Sequence, residues 1–109
     1  MALTLEGIVP VRELETPSAL TLQRNYPNPF NPTTTIAFSL PEKTRVTLAI
    51  YDVNGHLATV LVDAELDAGY KEYRWERSDA RGLPVGSGVY FYRLDTGTGT
   101  RVDKMVLLK

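Results

Sequence analysis

The sequence predicts an all-β chain: an antiparallel β-sandwich of immunoglobulin or fibronectin type III kind, with about seven strands. Two observations predict it. Apolar residues recur with a period of two in short runs, as in Ile36-Ala37-Phe38-Ser39-Leu40 and Val46-Thr47-Leu48-Ala49-Ile50, the spacing of a strand with one face buried. Turn signals rich in Gly, Pro, Asn and Asp separate these runs, and no stretch of helical length keeps a 3.6-residue period. The 109 residues suit one small domain, long enough for a core without staples. There is no cysteine, so packing alone must hold the two sheets together.

Residues 1–19 read as a linker from a preceding domain, with Met1-Ala2 open to being an added start. Leu3, Leu5, Ile8, Val9 and Val11 keep no steady period, and chain ends usually fray. A basic start followed by an apolar stretch, as in a secretory signal, is lacking there. The folded domain is expected over 20–109. Leu20 and Leu22 open it as a short strand. Asn25-Tyr26-Pro27-Asn28-Pro29-Phe30-Asn31-Pro32 follows. Its three prolines forbid helix and remove ladder donors, and each residue before a proline is pushed toward extended geometry. The asparagines suit local Asx turns. A rigid corner results, with Tyr26 and Phe30 expected to anchor it in the core.

Ile36, Phe38 and Leu40 then share a strand face, with Thr35, Ala37 and Ser39 opposite. After a turn at Pro41-Glu42-Lys43, Val46, Leu48 and Ile50 alternate with Thr47, Ala49 and Tyr51. Asp52-Val53-Asn54-Gly55 reads as a tight hairpin in which both Asn54 and Gly55 take positive φ. Leu57 to Val62 forms the returning arm. Asp67-Ala68-Gly69 breaks the chain, and Tyr70 to Glu76 puts Lys71, Tyr73 and Trp75 on one side, with Trp75 in the core. Ser78 to Pro84 is a long turn. Val85 to Leu94 carries Tyr90, Tyr92 and Leu94 on one face and Val89 and Phe91 on the other. Thr96-Gly97-Thr98-Gly99 turns into a last strand, Arg101 to Leu108.

Charge and composition exclude several functions. Twelve basic and 13 acidic residues are spread along the chain, so no phosphate-binding stripe marks a nucleic-acid partner. The apolar runs are far short of a membrane span, which argues against membrane insertion. No cofactor site is legible. His56, the single histidine, follows Asn54-Gly55 at a hairpin tip and lacks a Gly-x-Ser-x-Gly partner. Asp52 and Asn54 mimic two positions of a calcium loop, but the spacing then fails. Asp63, Glu65 and Asp67 read as a solvated turn, with a loose calcium site as the alternative. Ser87 stands between Gly86 and Gly88 without a base, and the glycines read as a bulge or a close approach. Exposed Tyr70, Tyr73, Trp75, Tyr90 and Tyr92 would suit a sugar platform, yet their alternation fits core faces better. An enzyme is therefore not expected.

Several segments together carry a resemblance: the corner Asn25 to Pro32 with its flanks Leu22 to Ile36; Leu40-Pro41-Glu42; Ile50 to Gly55; Ala68-Gly69; Trp75; Gly86-Ser87-Gly88-Val89-Tyr90-Phe91-Tyr92-Arg93-Leu94; and Lys104-Met105-Val106-Leu107-Leu108-Lys109. This combination resembles the C-terminal sorting domains of the type IX secretion system, over residues 20–109. The middle portion also resembles the immunoglobulin-like domain of flagellar hook-capping proteins. Two departures stand out: His56 where sorting domains often carry Arg or Lys, and Glu76-Arg77-Ser78-Asp79 in place of a commoner Trp-Asp-Gly.

The resemblance implies a sorting signal at the end of a larger exported protein of a Bacteroidetes-type bacterium. The cargo would be covalently attached on the N-terminal side and would cross the periplasm before reaching the cell surface or the medium. The implied partners are the type IX secretion machinery and a sortase-like surface peptidase that cuts near the domain's N-terminal border. Translocon recognition is expected at Lys104, Met105, Val106, Leu107, Leu108 and Lys109. There an exposed edge strand suits docking by β-augmentation, and an edge-strand dimer is a further expectation. Met105 and Leu107 read equally well as core residues. The rival readings are a carbohydrate- or protein-binding module and a structural immunoglobulin-like spacer.

Overall fold

The computed structural model describes residues 18–108. Most of the expected linker, and Lys109, lie outside the described residues. Seven strands follow in order: β1 (Thr21–Leu22), β2 (Thr34–Leu40), β3 (Thr44–Asp52), β4 (Leu57–Leu66), β5 (Gly69–Trp75), β6 (Gly88–Thr96) and β7 (Gly99–Leu107). They form a three-stranded sheet, β1-β2-β5, and a four-stranded sheet, β4-β3-β6-β7. Every strand pairing is antiparallel. The result is the expected all-β sandwich of seven strands.

The period of two places the core. Ile36, Phe38 and Leu40 of β2, and Val46, Leu48 and Ile50 of β3, are fully buried, as are Tyr92, Leu94 and Met105. Each such side chain stabilises the fold by roughly 1.5–3 kcal/mol. The alternate residues face the other side of each strand, where Ala37 and Ala49 are also buried.

Three local expectations are corrected. First, β4 runs on to Leu66, through Asp63 and Glu65, where a solvated turn was expected. Pairing with β3 sustains it, and Arg45 grips the Asp63 carboxylate at 2.8 Å. The β3–β4 register shifts between Leu48 and Ala49 and again between Ile50 and Tyr51. Such irregularity interrupts strict alternation, which hid the strand's length. Second, among the described residues only Gly55 of the Asn54-Gly55 pair takes positive φ, at 85°. The Gly55 N–H donates to the Asp52 carbonyl (3.0 Å) and the Asp52 N–H to the His56 carbonyl (2.9 Å). The loop is thus a longer turn closed by a left-handed glycine, not a two-residue primed turn. Third, a Cβ added at Gly86 or Gly88 would meet no atom within 4 Å, so no close approach explains this pair. The reason at Gly88 is its φ of 143°, open to glycine alone.

Candidate functional site

The corner after β1 and the end of β7 are far apart in sequence, yet they touch. The Val106 N–H donates to Asn28 Oδ1 at 3.0 Å. The Phe30 N–H donates to the Val106 carbonyl at 2.9 Å, and the Leu108 N–H to the Phe30 carbonyl at 2.9 Å. Phe30 and Leu107 form a parallel bridge. The corner therefore adds itself as a short extra strand beyond β7 and seals its last residues. Asn28 was expected to cap its own loop; instead it caps a strand end at the other end of the chain.

The corner is held from inside. Phe30, 1% exposed, sits 5.7 Å from the Trp75 ring, and Trp75 meets Tyr90 edge-on at 5.3 Å. The Trp75 indole N–H donates to the Ser78 carbonyl at 2.9 Å, and the Tyr90 hydroxyl to the Gly86 carbonyl at 2.6 Å. Asn25 is buried. Its N–H donates to the Tyr92 hydroxyl (3.0 Å), which itself donates to the Gln23 carbonyl (2.9 Å). Its Nδ2 donates to the Pro27 carbonyl (3.2 Å) and Thr34 Oγ1 (3.0 Å). Burial pushes the Tyr92 phenol up to about 12, opposed in part by the Asn25 N–H. Tyr26, expected as an anchor, is 80% exposed. Its backbone pairs with Thr35 (3.0 and 2.9 Å), and because Asn25 turns inward, the next side chain turns out.

Register gathers the other motif residues at this same end of the sandwich. Asp52 pairs with Tyr90, Tyr90 with Met105, Gly88 with Leu107, and Thr34 with Trp75. Pro27, Pro29, Asn31 and Pro32 complete the corner on the exposed side, with Ser87 also exposed. In the Asn54-Gly55 turn, Asp52 Oδ1 accepts the N–H groups of Asn54 and His56, both at 2.9 Å. The His56 N–H is the main cause holding the Asp52 carboxyl below its usual range, against some desolvation. Both carboxylate and turn are thereby explained without a metal. Among the described residues, no cluster of His, Asp and Glu could hold one.

In β7, Met105 and Leu107 are buried, Lys104 is exposed and Val106 is half-buried; Leu108, just past the strand, is exposed. The alternation resolves the two readings of this strand. Its inner face is core, and its outer face and edge are what remain to be read. The sugar platform is not assembled. Trp75, Tyr90 and Tyr92 are buried, Tyr73 stacks on Phe38 at 5.9 Å, and only Tyr70 of that set is largely exposed. The sequence reading missed the open stretch of β7 before the corner, Thr100 to Lys104. Its signal in the sequence was Thr100-Arg101-Val102-Asp103-Lys104, a run of polar and charged residues broken only by Val102, ahead of Met105.

These elements define a small all-β sandwich module, with the end of its last strand sealed by a proline corner. Residues 24–108 match the family model of the secretion system C-terminal sorting domain, and the chain belongs to that family. Sorting domains of this kind are in general non-catalytic and imply export to the cell surface or the extracellular space. Among solved structures, the fold is similar to dimeric latent PorU from Porphyromonas gingivalis (TM-score 0.65, 20% identity, covering 95% of this chain and 10% of that one). It is also similar to FlgD from P. aeruginosa (TM-score 0.55, 20% identity, 68% and 61%). A third likeness is PorZ, an essential surface component of the type IX secretion system of P. gingivalis (TM-score 0.53, 21% identity, 89% and 12%). This chain therefore spans only about a tenth of PorU and of PorZ. No curated protein matches it.

Proposed function

We propose that residues 20–109 form a sorting signal that directs a covalently attached N-terminal cargo through the type IX secretion system, by way of the periplasm, to the cell surface. Family membership supports the class. The observation that carries the mechanism is the division of β7 and the residue after it: Met105 and Leu107 lock the strand into the core, while Lys104 and Leu108 stay on the surface. The secretion machinery reads the exposed residues of Lys104 to Lys109 on a folded frame. A sortase-like surface peptidase then cuts in the segment before Leu20.

This division sets the test. Deleting Lys104 to Lys109 would remove two buried side chains, each worth about 2–5 kcal/mol, and would unfold the domain rather than only erase an address. The test uses the full chain fused to a periplasmic reporter in a type IX-competent host. Lys104→Glu and Leu108→Ser should leave the melting curve within about 0.5 kcal/mol and stop surface display. Undiminished export of the folded double variant would refute recognition at these residues.

A further inference from the structure

The geometry points to β7 as a self-complementary edge that pairs with β7 of a second copy of this chain, about a two-fold axis at Val102. Val106 turns both its N–H and its carbonyl outward, to Asn28 and Phe30. Strand groups repeat every second residue, so Thr100, Val102 and Lys104 also point outward. Among the described residues, no strand pairs with them. The Lys104 amide meets only its neighbour's carboxylate, Asp103 Oδ1, at 2.8 Å, a bond that a pairing strand would replace. The Thr100 carbonyl likewise accepts from the Arg101 guanidinium of its own strand at 3.0 Å, a bond that pairing would replace while releasing Arg101. Among the described residues, the corner closes this edge at Val106 and leaves the window just ahead of it open to another strand.

Charge selects both the partner and the register. With the axis at Val102, Thr100 faces Lys104 of the second copy, Val102 faces Val102, and Arg101 faces Asp103 twice over. All three outward positions then exchange ladder bonds, and the cross-strand charges are opposite. Moving the axis to residue 101 sets Arg101 against Arg101, and moving it to residue 103 sets Asp103 against Asp103. Odd shifts would turn inward-pointing groups toward outward-pointing ones and form no ladder. One register alone satisfies both constraints. The same axis brings Val102, 57% exposed, against its copy. This extends the outer-face cleft lined by Tyr51, Phe91, Arg93 and Val102 across the join. The two four-stranded sheets become one continuous sheet. Because the contact is little more than one strand pair, far below the ~1,200 Å² of a standard interface, the dimer is weak and concentration-dependent.

The inference does not rest on the sorting reading, and its experiment needs no secretion host. Sedimentation equilibrium of the full chain, up to about 1 mM, should show a reversible dimer. R101D and D103R should each weaken it by roughly tenfold or more, since two attractive pairs become repulsive ones. R101D/D103R should restore it. An equimolar mixture of R101D and D103R should form a heterodimer in preference to either homodimer. Asp103 also lies near the Tyr92 phenol, so the R101D arm, which leaves that contact intact, guards against a loss of folding, with circular dichroism as the check. A monomer at every concentration overturns the proposal. So does a dimer indifferent to the single reversals, or a swapped variant and mixture that fail to recover association.

Discussion

Replacing Asn28 by Ala removes one atom contact with an effect that the structure sizes. Asn28 Oδ1 accepts the Val106 N–H at 3.0 Å, in a half-buried setting. Without it, that N–H loses its partner in a site where water enters only in part. An orphaned buried donor costs about 1–3 kcal/mol, and partial access places this one near the lower end, about 1–2 kcal/mol. For a domain of this size, that lowers Tm by roughly 4–8 °C for each kcal/mol. Urea unfolding followed by Trp75 fluorescence measures the loss. Amide exchange locates it: the Val106 N–H should lose protection well beyond that of Met105, whose backbone pairs with Tyr90 of β6. N28D keeps an acceptor oxygen and should recover most of the stability. Unchanged stability together with a still-protected Val106 amide in N28A would refute the idea that the corner seals the strand.

Two further outcomes follow from the same region. Phe30→Ala opens a hole beside Trp75 and should destabilise by about 3–5 kcal/mol, with Trp75 emission shifting to the red; a loss below 1 kcal/mol would mean the corner is not anchored through this ring. Tyr92 sets an alkaline limit. Its folded value of about 12 lies above the ordinary 10, so the fold favours the neutral phenol. That stabilisation is whole below pH 10 and is lost as pH rises from 10 toward 12. Tyr92→Phe should reduce this slope in an alkaline titration monitored by circular dichroism, leaving the part that comes from Tyr70 and Tyr90, whose phenols are also raised; a slope of undiminished size in the variant would assign it elsewhere.

Most of the sandwich was legible because its signals are local. Strict alternation in Ile36-Ala37-Phe38-Ser39-Leu40 and Val46 to Ile50 needs no partner to be read. The turns at Pro41-Glu42-Lys43 and Thr96 to Gly99 declare themselves by residue type, and Trp75 falls on the inner face by parity. The illegible parts depend on where a second segment lies. Leu57 to Leu66 looked shorter than it is because its length is set by β3 and its period is broken by register shifts. Tyr26 looked like an anchor because it is large and aromatic, yet the turn of Asn25 inward commits it to solvent.

The site divides along the same line. By itself the sequence determined that a strand through Arg101 to Leu107 closes the domain, and that an unusual proline corner opens it. Both follow from residue type and period. Only the tertiary structure decided that the two meet. A hydrogen bond from Val106 to Asn28 depends on how the sheets pack, and no local pattern encodes it. The same packing decided which groups of β7 are sealed and which stay open. It thereby turned a basic-apolar tail into a strand with a buried face, a capped end and, among the described residues, one edge open to a further strand.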